Sequence, residues 1–349
     1  MAGEQGKQGQ GAGRTILVLP AGQLYTEIMS PRAEQVLRSL GRVVRLEGGQ
    51  RGPGGSPAPE QIIDLLPEAD AVLTSWGAPR FDAQLLERAP RLQIIGHAAG
   101  SIKGFILPEV FDRGIAVTHA ASTIADSVGE WALTAVLTVL RMSHVFDRIM
   151  HEGGWGKRDL GFGQELYRKR VGIVAASMTG RAFIRLLEPF DVEILVYDPY
   201  LSAERARELG VRRAETLDEL FETCDVVSNH APTTPETTGM IGAAQLARLR
   251  DGALFVNTAR AAAVDYDALT RELQSGRIRA ALDVFPREPL AGDSPLRGLP
   301  NVLLSPHVAG GTVESRRRLG ETIADEFARF FAGQPLRYGV TKPMLATMA

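Results

Sequence analysis

The chain of 349 residues is 44% hydrophobic, 23% charged and 6% aromatic, which excludes extended disorder and fibrous repeats and suits two domains of about 100 to 200 residues each. Lys plus Arg number 39 and Asp plus Glu 41, so a net charge of -2 offers no general attraction to phosphate backbones or anionic lipid, and neither nucleic acid nor membrane is expected as a partner. No apolar run approaches the roughly 20 residues that span a bilayer and no signal-type segment opens the chain, so a cytoplasmic location is expected.

Residues 1–13 are rich in Gly and Gln without periodicity and read as a disordered tail. Apolar TILVLP follows, then a helix over 31–40, VVRL, a Gly- and Pro-rich loop, a helix over 60–66, AVLTS, a helix over 82–88 and LQIIGHAA. Short apolar strands separated by amphipathic helices point to a parallel sheet covered on both faces. A second series begins at Arg170 with VGIVA, a helix over 179–187, VEILVYD, a helix over 203–209 and a short helix opened by Thr216 with Glu219 as capping-box partner. DVVSNHA, a helix over 243–249, ALFVNTA, a helix over 266–274 capped by Asp265, IRAALDV and NVLLSPH complete it. Long helical stretches over 127–150 and 312–331 flank this series, so the chain is expected to leave one domain, build the other and return. The expected fold class is α/β with two doubly wound parallel-sheet domains, one discontinuous over 14–120 and 309–340, the other over 121–308.

A dinucleotide fingerprint needs a strand, a Gly-rich turn, a helix start and an acidic residue about 20 positions on. VGIVAASMTGR and VEILVYD supply that frame, with Asp198 as the acidic residue. In register with G-x-G-x-x-G, however, stand Ala175, Ser177 and Gly180, so only the glycine of helix–strand packing remains. A Cβ at Ser177 occupies the side from which a pyrophosphate approaches, and a positive φ at Ala175 would cost about 1 to 2 kcal/mol, so weakened dinucleotide binding is expected. Asp198 would accept from both ribose hydroxyls and repel a 2′-phosphate, favouring NAD over NADP; its duller role is as a turn former in YDPY.

Three polar groups recur at the C-terminal ends of second-series strands, where doubly wound sheets bind ligands: Arg260 in NTAR, the acidic pair Asp283 and Glu288 in LDVFPREP, and His307 in SPHVAG. Each alone has an ordinary explanation as a solvated charge or a strand-end histidine. Two other polar groups promise less. The one cysteine, Cys224, ends a helix-like stretch and is a poor nucleophile. His144, Asp147 and His151 lack the tight histidine pair of zinc hydrolases, and no metal is expected.

From about Leu92 to Gly311 the sequence resembles the D-isomer-specific 2-hydroxyacid dehydrogenase family, which includes phosphoglycerate dehydrogenase. The pieces are RGIAVTHAASTIADSVGEWALTAVL, ELYRKRVGIVAASMTGR, VYDPY, DVVSNHAPTTPETTGMI, LRDGALFVNTARAAAVDYDAL, IRAALDVFPREPL and LPNVLLSPHVAGG, in the family's order and spacing. The resemblance implies a flavodoxin-like substrate domain beside a Rossmann NAD-binding domain, NAD as cofactor and a small 2-keto or 2-hydroxy acid as substrate. It implies that Arg260 holds the substrate carboxylate and carbonyl, that His307 is the acid/base, and that Glu288 pairs with it and favours the imidazolium. Implied cofactor contacts are Ser177, Met178, Thr179 and Gly180 at the helix start, Asp198 on the ribose, Ala231 and Pro232 under the adenosine half, Thr258, Ala259 and Arg260, Asp283 near the nicotinamide amide, and His307 and Gly310. Ala99, Gly100 and Ser101 align with a loop whose backbone N–H groups grip the substrate carboxylate.

The chain departs from the family's usual residues at Ala175 and Ser177, at Met178, where arginine is common, and at Ala261, in place of a glycine. Glu288 argues against formate oxidation, which is associated with glutamine there. The resemblance also suggests a homodimer built on the 127–150 helix, and the short stretch after Val340 leads us to expect no serine-binding regulatory domain. Two readings follow: an NAD-linked oxidoreductase, or a dinucleotide-sensing or binding paralogue whose altered loop accompanies weak or absent turnover.

Overall fold

A computed structural model describes residues 13–45, 59–156 and 161–346. Most of the tail and most of the Gly/Pro-rich loop anticipated above lie outside the described residues. The chain divides into two compact units, one built from residues up to Ile124 together with those from Val313 onward, the other from Ala125–Thr312. These boundaries fall four residues beyond those expected, because the first lies inside a continuous helix, Ala121–Leu140.

In the first unit the strands are β1 (Thr15–Val18), β2 (Arg42–Arg45), β3 (Ala71–Thr74), β4 (Ile94–His97) and β5 (Ala116–His119). They run parallel in the order β5-β4-β3-β1-β2, and Gly339–Val340 adds an antiparallel edge beside β5. All four residues of β1, β3 and β4 are buried, so these strands carry apolar runs without alternation. The helix Pro31–Leu40 starts where Ser30 accepts from the Ala33 N–H and proline occupies the first turn. Gly96 and Gly320 let the helix Val313–Phe331 approach closely. A Cβ at Gly96 would lie 2.4 Å from Ile323, and one at Gly320 only 2.1 Å from the Ile28 carbonyl oxygen.

The second unit contains β6 (Arg170–Val174), β7 (Glu193–Tyr197), β8 (Arg212–Arg213), β9 (Val226–Asn229), β10 (Leu254–Asn257), β11 (Arg279–Leu282) and β12 (Val302–Leu304). Their order is β12-β11-β10-β9-β6-β7-β8, all parallel, with the switch in direction between β6 and β9. The core divides between the two faces of this sheet: one apolar cluster gathers Leu220, Phe221, Phe255 and Leu269, the other Val136, Phe183, Leu187 and Val256. Asp265 caps the helix Tyr266–Gln274 by accepting from the Ala268 N–H, 2.9 Å away.

Several expectations need correction. The helices Gly22–Ile28 and Pro108–Asp112 were not recognised, since GQLYTEI lacks a capping side chain and PEVFD is barely a turn. The helix expected over 60–66 is Pro59–Ile62 followed by a separate 3-10 turn, Leu66–Glu68, with Pro67 fixing the turn. The stretch 127–150 is two helices, Ala121–Leu140 and Ser143–His151, divided at Met142, whose φ is 55°. The Gln164 N–H caps the Leu140 carbonyl at 2.7 Å, so the chain itself satisfies the break. Finally, the helix Ala121–Leu140 is long and apolar enough by composition to cross a membrane, contrary to the reading that no run approaches that length. Half of its apolar window is buried, Gly129 packs on the Ala182–Phe183 backbone, and Asp126 binds Arg185 at 2.7 Å, so it serves as a packing helix of its unit.

Candidate active site

The turn after β6 keeps the fingerprint's shape without its glycines. Ala175 has φ 72°, a left-handed conformation that an alanine adopts under strain of about 1 kcal/mol. Two contacts hold it there. The Ala175 N–H donates to the Tyr197 carbonyl at 2.9 Å, and Asp198 at the end of β7 accepts from the Ala176 N–H at 2.9 Å. Asp198 also accepts from the Tyr200 N–H, so the turn-forming and turn-bracing roles of this carboxylate coexist. Each oxygen retains a lone pair for another donor. Gly180 is obligatory, because a Cβ would sit 2.3 Å from the Ala175 carbonyl oxygen.

Ser177 is the N-cap of the helix Met178–Leu187: its hydroxyl accepts from the Gly180 N–H and lies 3.1 Å from the Thr179 hydroxyl. Thr179 in turn bonds His230, a buried ring whose other nitrogen meets the Ser228 hydroxyl at 2.9 Å. Burial pushes the His230 pKa down to about 3, so the ring is a neutral bridge between sheet and helix. Met178 is exposed and Ala231 buried. The Pro232 carbonyl accepts from Thr237, which braces the segment after β9.

Arg260, Glu288 and His307 line a single cavity of about 510 Å³ together with Thr233, Ala261 and Phe285. Thr258 precedes Arg260, and its hydroxyl is buried with no hydrogen-bond partner among the described residues. The Ala259 N–H donates to Asn257 Oδ1, and one Arg260 nitrogen donates back to the Ala259 carbonyl at 2.7 Å. His307 Nδ1 lies 2.8 Å from Glu288 Oε2, and the other Glu288 oxygen accepts from the Phe285 N–H at 2.9 Å. Burial opposes ionisation of Glu288, but the His307 ring, the Phe285 N–H and the charges of His307 and Arg260 outweigh it and hold the carboxyl below its usual range.

Asp283 does something the sequence did not disclose. It is fully buried, and its oxygens accept from the Ser305 hydroxyl and from the N–H groups of Val308 and Ala309, at 2.9 and 2.8 Å for the two amides. This anchors the turn on which His307 takes φ 54°, a strained value for a non-glycine residue. Asp283 thus positions the histidine turn, which continues into Gly310, and its Oδ2 keeps a lone pair beyond the bond from Ala309.

Sequence reasoning also missed a buried polar scaffold below Arg260. Asn229 and Asn257 end adjacent strands in register, Asn229 donates to Asn257, and Asn257 donates to the Tyr266 hydroxyl, which donates to the Val284 carbonyl. The available signal was that VVSN and LFVN both close an apolar strand with asparagine.

In the first unit, residues 99–101 follow β4. The Ala99 N–H donates to the His97 carbonyl at 2.8 Å, so this amide is engaged within the unit. Cys224 is buried and its thiol pushed up to about 12, chiefly by that burial. Among the described residues no group of three or more His, Cys, Asp or Glu side chains is arranged to hold a metal ion.

Residues 133–309 match the family described as D-isomer specific 2-hydroxyacid dehydrogenase, NAD binding domain. Among curated relatives, D-3-phosphoglycerate dehydrogenase of Archaeoglobus fulgidus is 31% identical over 323 residues, 92% of this chain and 59% of that protein. Glyoxylate reductase of Korarchaeum cryptofilum is 34% identical over 282 residues, 80% of this chain and 84% of that one. A crystal structure of a phosphoglycerate oxidoreductase from Rhizobium etli superposes with a TM-score of 0.77 at 28% identity, covering 93% of this chain and 97% of that one. The match spans only 59% and 52% of the first phosphoglycerate dehydrogenases compared. Profile and relatives agree: the chain belongs to the D-isomer specific 2-hydroxyacid dehydrogenase family, and residues 133–309 are its NAD-binding domain.

Proposed function

We propose that this chain is an NAD-dependent dehydrogenase that moves hydride between NAD(H) and the C2 carbon of a small 2-keto or 2-hydroxy acid, with D-isomer specificity. The observation that carries the reading is the convergence of Arg260, Glu288 and His307 on one cavity. Arg260 holds the substrate carboxylate with its planar fork of donors. His307 gives a proton to the keto oxygen in reduction and takes it back in oxidation, and Glu288 fixes the ring by its bond to Nδ1. Ala99, Gly100 and Ser101, in the loop after β4, are proposed substrate contacts as well.

The residues present fit a dinucleotide. The first N–H groups of the helix Met178–Leu187 lack intrahelical partners and offer an anion site, Gly180 keeps the turn close to the helix, and the Thr258 hydroxyl, buried without a hydrogen-bond partner among the described residues, lies two residues before Arg260 in the chain. Ser177, Met178, Thr179, Ala231, Pro232, Ala259 and Gly310 complete the proposed contact surface, and Asp198 selects NAD over NADP. When bound, the reduced nicotinamide supplies the hydride. The alternative of a dinucleotide-sensing module gains no support from the relatives named above, which are called dehydrogenase, reductase and oxidoreductase.

The test is NADH and NADPH oxidation against a panel of 2-keto acids, beginning with glyoxylate and hydroxypyruvate. Turnover with NADH, reduced about 100- to 10,000-fold in His307→Ala, is expected. Turnover that survives both His307→Ala and Arg260→Ala would overturn the assignment. We further propose a homodimer through the helix Ala121–Leu140 and the segment after it, where Met150, Trp155 and Phe162 are exposed. A cytoplasmic location agrees with a single, buried, free thiol.

A further inference from the structure

Three buried polar side chains that the proposed chemistry does not use form a line of hydrogen bonds in the second unit. Asn229 and Asn257 are fully buried and Tyr266 nearly so. Backbone groups at the ends of the line fix the direction of every bond in it. An N–H can only donate, so the Ala231 N–H at 3.1 Å and the Ala259 N–H at 3.2 Å mark the amide oxygens of Asn229 and Asn257. The Asn257 nitrogen then faces the Tyr266 hydroxyl, which accepts from it at 3.2 Å. That hydroxyl gives its one proton to the Val284 carbonyl, which can only accept. Asn257 is itself held on both sides, since Asn229 donates to its oxygen at 3.1 Å and its nitrogen also reaches the Arg260 carbonyl at 3.5 Å.

The far end of the line meets the acid/base pair through one peptide group. The Val284 carbonyl and the Phe285 N–H belong to the same planar trans peptide and point in opposite directions. Tyr266 holds the carbonyl, and the N–H donates to Glu288 Oε1 at 2.9 Å. The other Glu288 oxygen is bonded to His307 Nδ1. Val284, Phe285, Glu288 and His307 all line the cavity that holds Arg260. A carbonyl that accepts a hydrogen bond polarises its own peptide, so the tyrosine hydroxyl both orients the Phe285 N–H and makes it a stronger donor. Tyr266 is well placed to do this: it heads the helix Tyr266–Gln274, whose start Asp265 caps, and its ring meets Phe285 edge-on at 6.5 Å.

We propose that Tyr266, anchored by Asn257, is a positioning residue for the acid/base pair, acting on the Glu288 carboxylate through the Val284–Phe285 peptide. The inference rests on the reading of Glu288 and His307 as that pair. Burial opposes ionisation of Glu288, whereas the His307 bond, the Phe285 N–H and the charges of His307 and Arg260 favour it. Arg297 lines the neighbouring cavity with Glu288, but its guanidinium is bonded to the Leu290 and Ala291 carbonyls. Burial chiefly, and the charges of Glu288 and Asp283, push the Tyr266 pKa up, so its hydroxyl keeps the proton that Val284 accepts.

The experiment compares Tyr266→Phe, which keeps the ring and removes the hydroxyl, with Asn229→Ala at the other end of the line. Both are made in the full chain, with glyoxylate and hydroxypyruvate as probes. For Tyr266→Phe we expect kcat lower by about 5- to 20-fold with the KM for NADH within about twofold. Its acid limb of kcat/KM should move up by about half a pH unit or more, because a weaker N–H supports the charged carboxylate less. Asn229→Ala leaves the Tyr266–Val284 bond in place and should leave the limb where it is. An unmoved limb in Tyr266→Phe, or an equal shift in Asn229→Ala, would overturn the proposal.

Titration of the Glu288 carboxyl by 13C NMR gives the same answer without turnover: its midpoint should be higher in Tyr266→Phe than in the wild type, and equal midpoints contradict the proposal. A protein that shows this displacement but turns over no keto acid would defeat the functional reading alone, so the two failures are distinguishable. Should Tyr266→Phe not fold, the Cζ signal of Tyr266 in the 13C-tyrosine-labelled wild type, in equal volumes of H2O and D2O, decides. A hydroxyl held between Asn257 and Val284 exchanges slowly and splits that signal, whereas a single averaged signal contradicts the line.

Discussion

At the scale of single residues, the catalytic proposal depends on how Glu288 is held. A carboxyl whose folded pKa lies below its unfolded value stays ionised at and above that ordinary value, here 4.5, and loses its charge only as pH falls through the depressed one. The His307–Glu288 pair is thus intact across the neutral range. We expect the acid limb of kcat/KM to fall below pH 4.5 and to vanish in Glu288→Gln, which should also lose about 10- to 100-fold at neutral pH through the missing charge-assisted bond. A profile unchanged by the substitution would contradict this role. That Arg260, Glu288 and His307 would meet at one cavity was legible in the sequence because each follows an apolar strand, and the family's spacing tied them together. The buried task of Asp283 was not legible, since an acidic residue at a strand end looks the same whether it faces a ligand or collects three protein donors.

At the scale of elements, the altered glycine turn shows what a frame can preserve. Strand, turn and helix survive with alanine at a left-handed position because Asp198 and the Tyr197 carbonyl brace the backbone from β7. Ala175→Gly should therefore raise unfolding stability by about 1 kcal/mol, and urea denaturation measures it; a loss of stability would show that the positive φ carries no strain. Ser177→Ala should cost about 1 kcal/mol by removing the cap of the following helix. Strand–helix alternation revealed both sheets, because buried parallel strands are short apolar runs. It failed at Met142, where nothing in LRMSH marks a left-handed residue and the bond that satisfies the break comes from Gln164, more than twenty residues away. The small helices near residues 22 and 108 were lost for a related reason: without a cap or a full turn of apolar period they leave little pattern to read.

At the scale of the whole molecule, length suited two domains and strand–helix alternation two α/β units, but the reading understated the helix Ala121–Leu140, on which Trp131, Leu133 and Leu137 are only partly buried. That surface, with the exposed Trp155 and Phe162, predicts a dimer in sedimentation experiments, and Trp155→Glu with Phe162→Glu should shift it toward monomer. A wild-type monomer at micromolar concentration would refute the interface. The central claim, that the chain transfers hydride to C2 of a 2-keto acid, is tested most directly by following the atom itself. With NADH deuterated at the nicotinamide C4 and glyoxylate or hydroxypyruvate as acceptor, mass spectrometry should find deuterium at C2 of the hydroxy acid for the wild type and about 100-fold less or none for His307→Ala. A product without label, or equal labelling by both proteins, would contradict it.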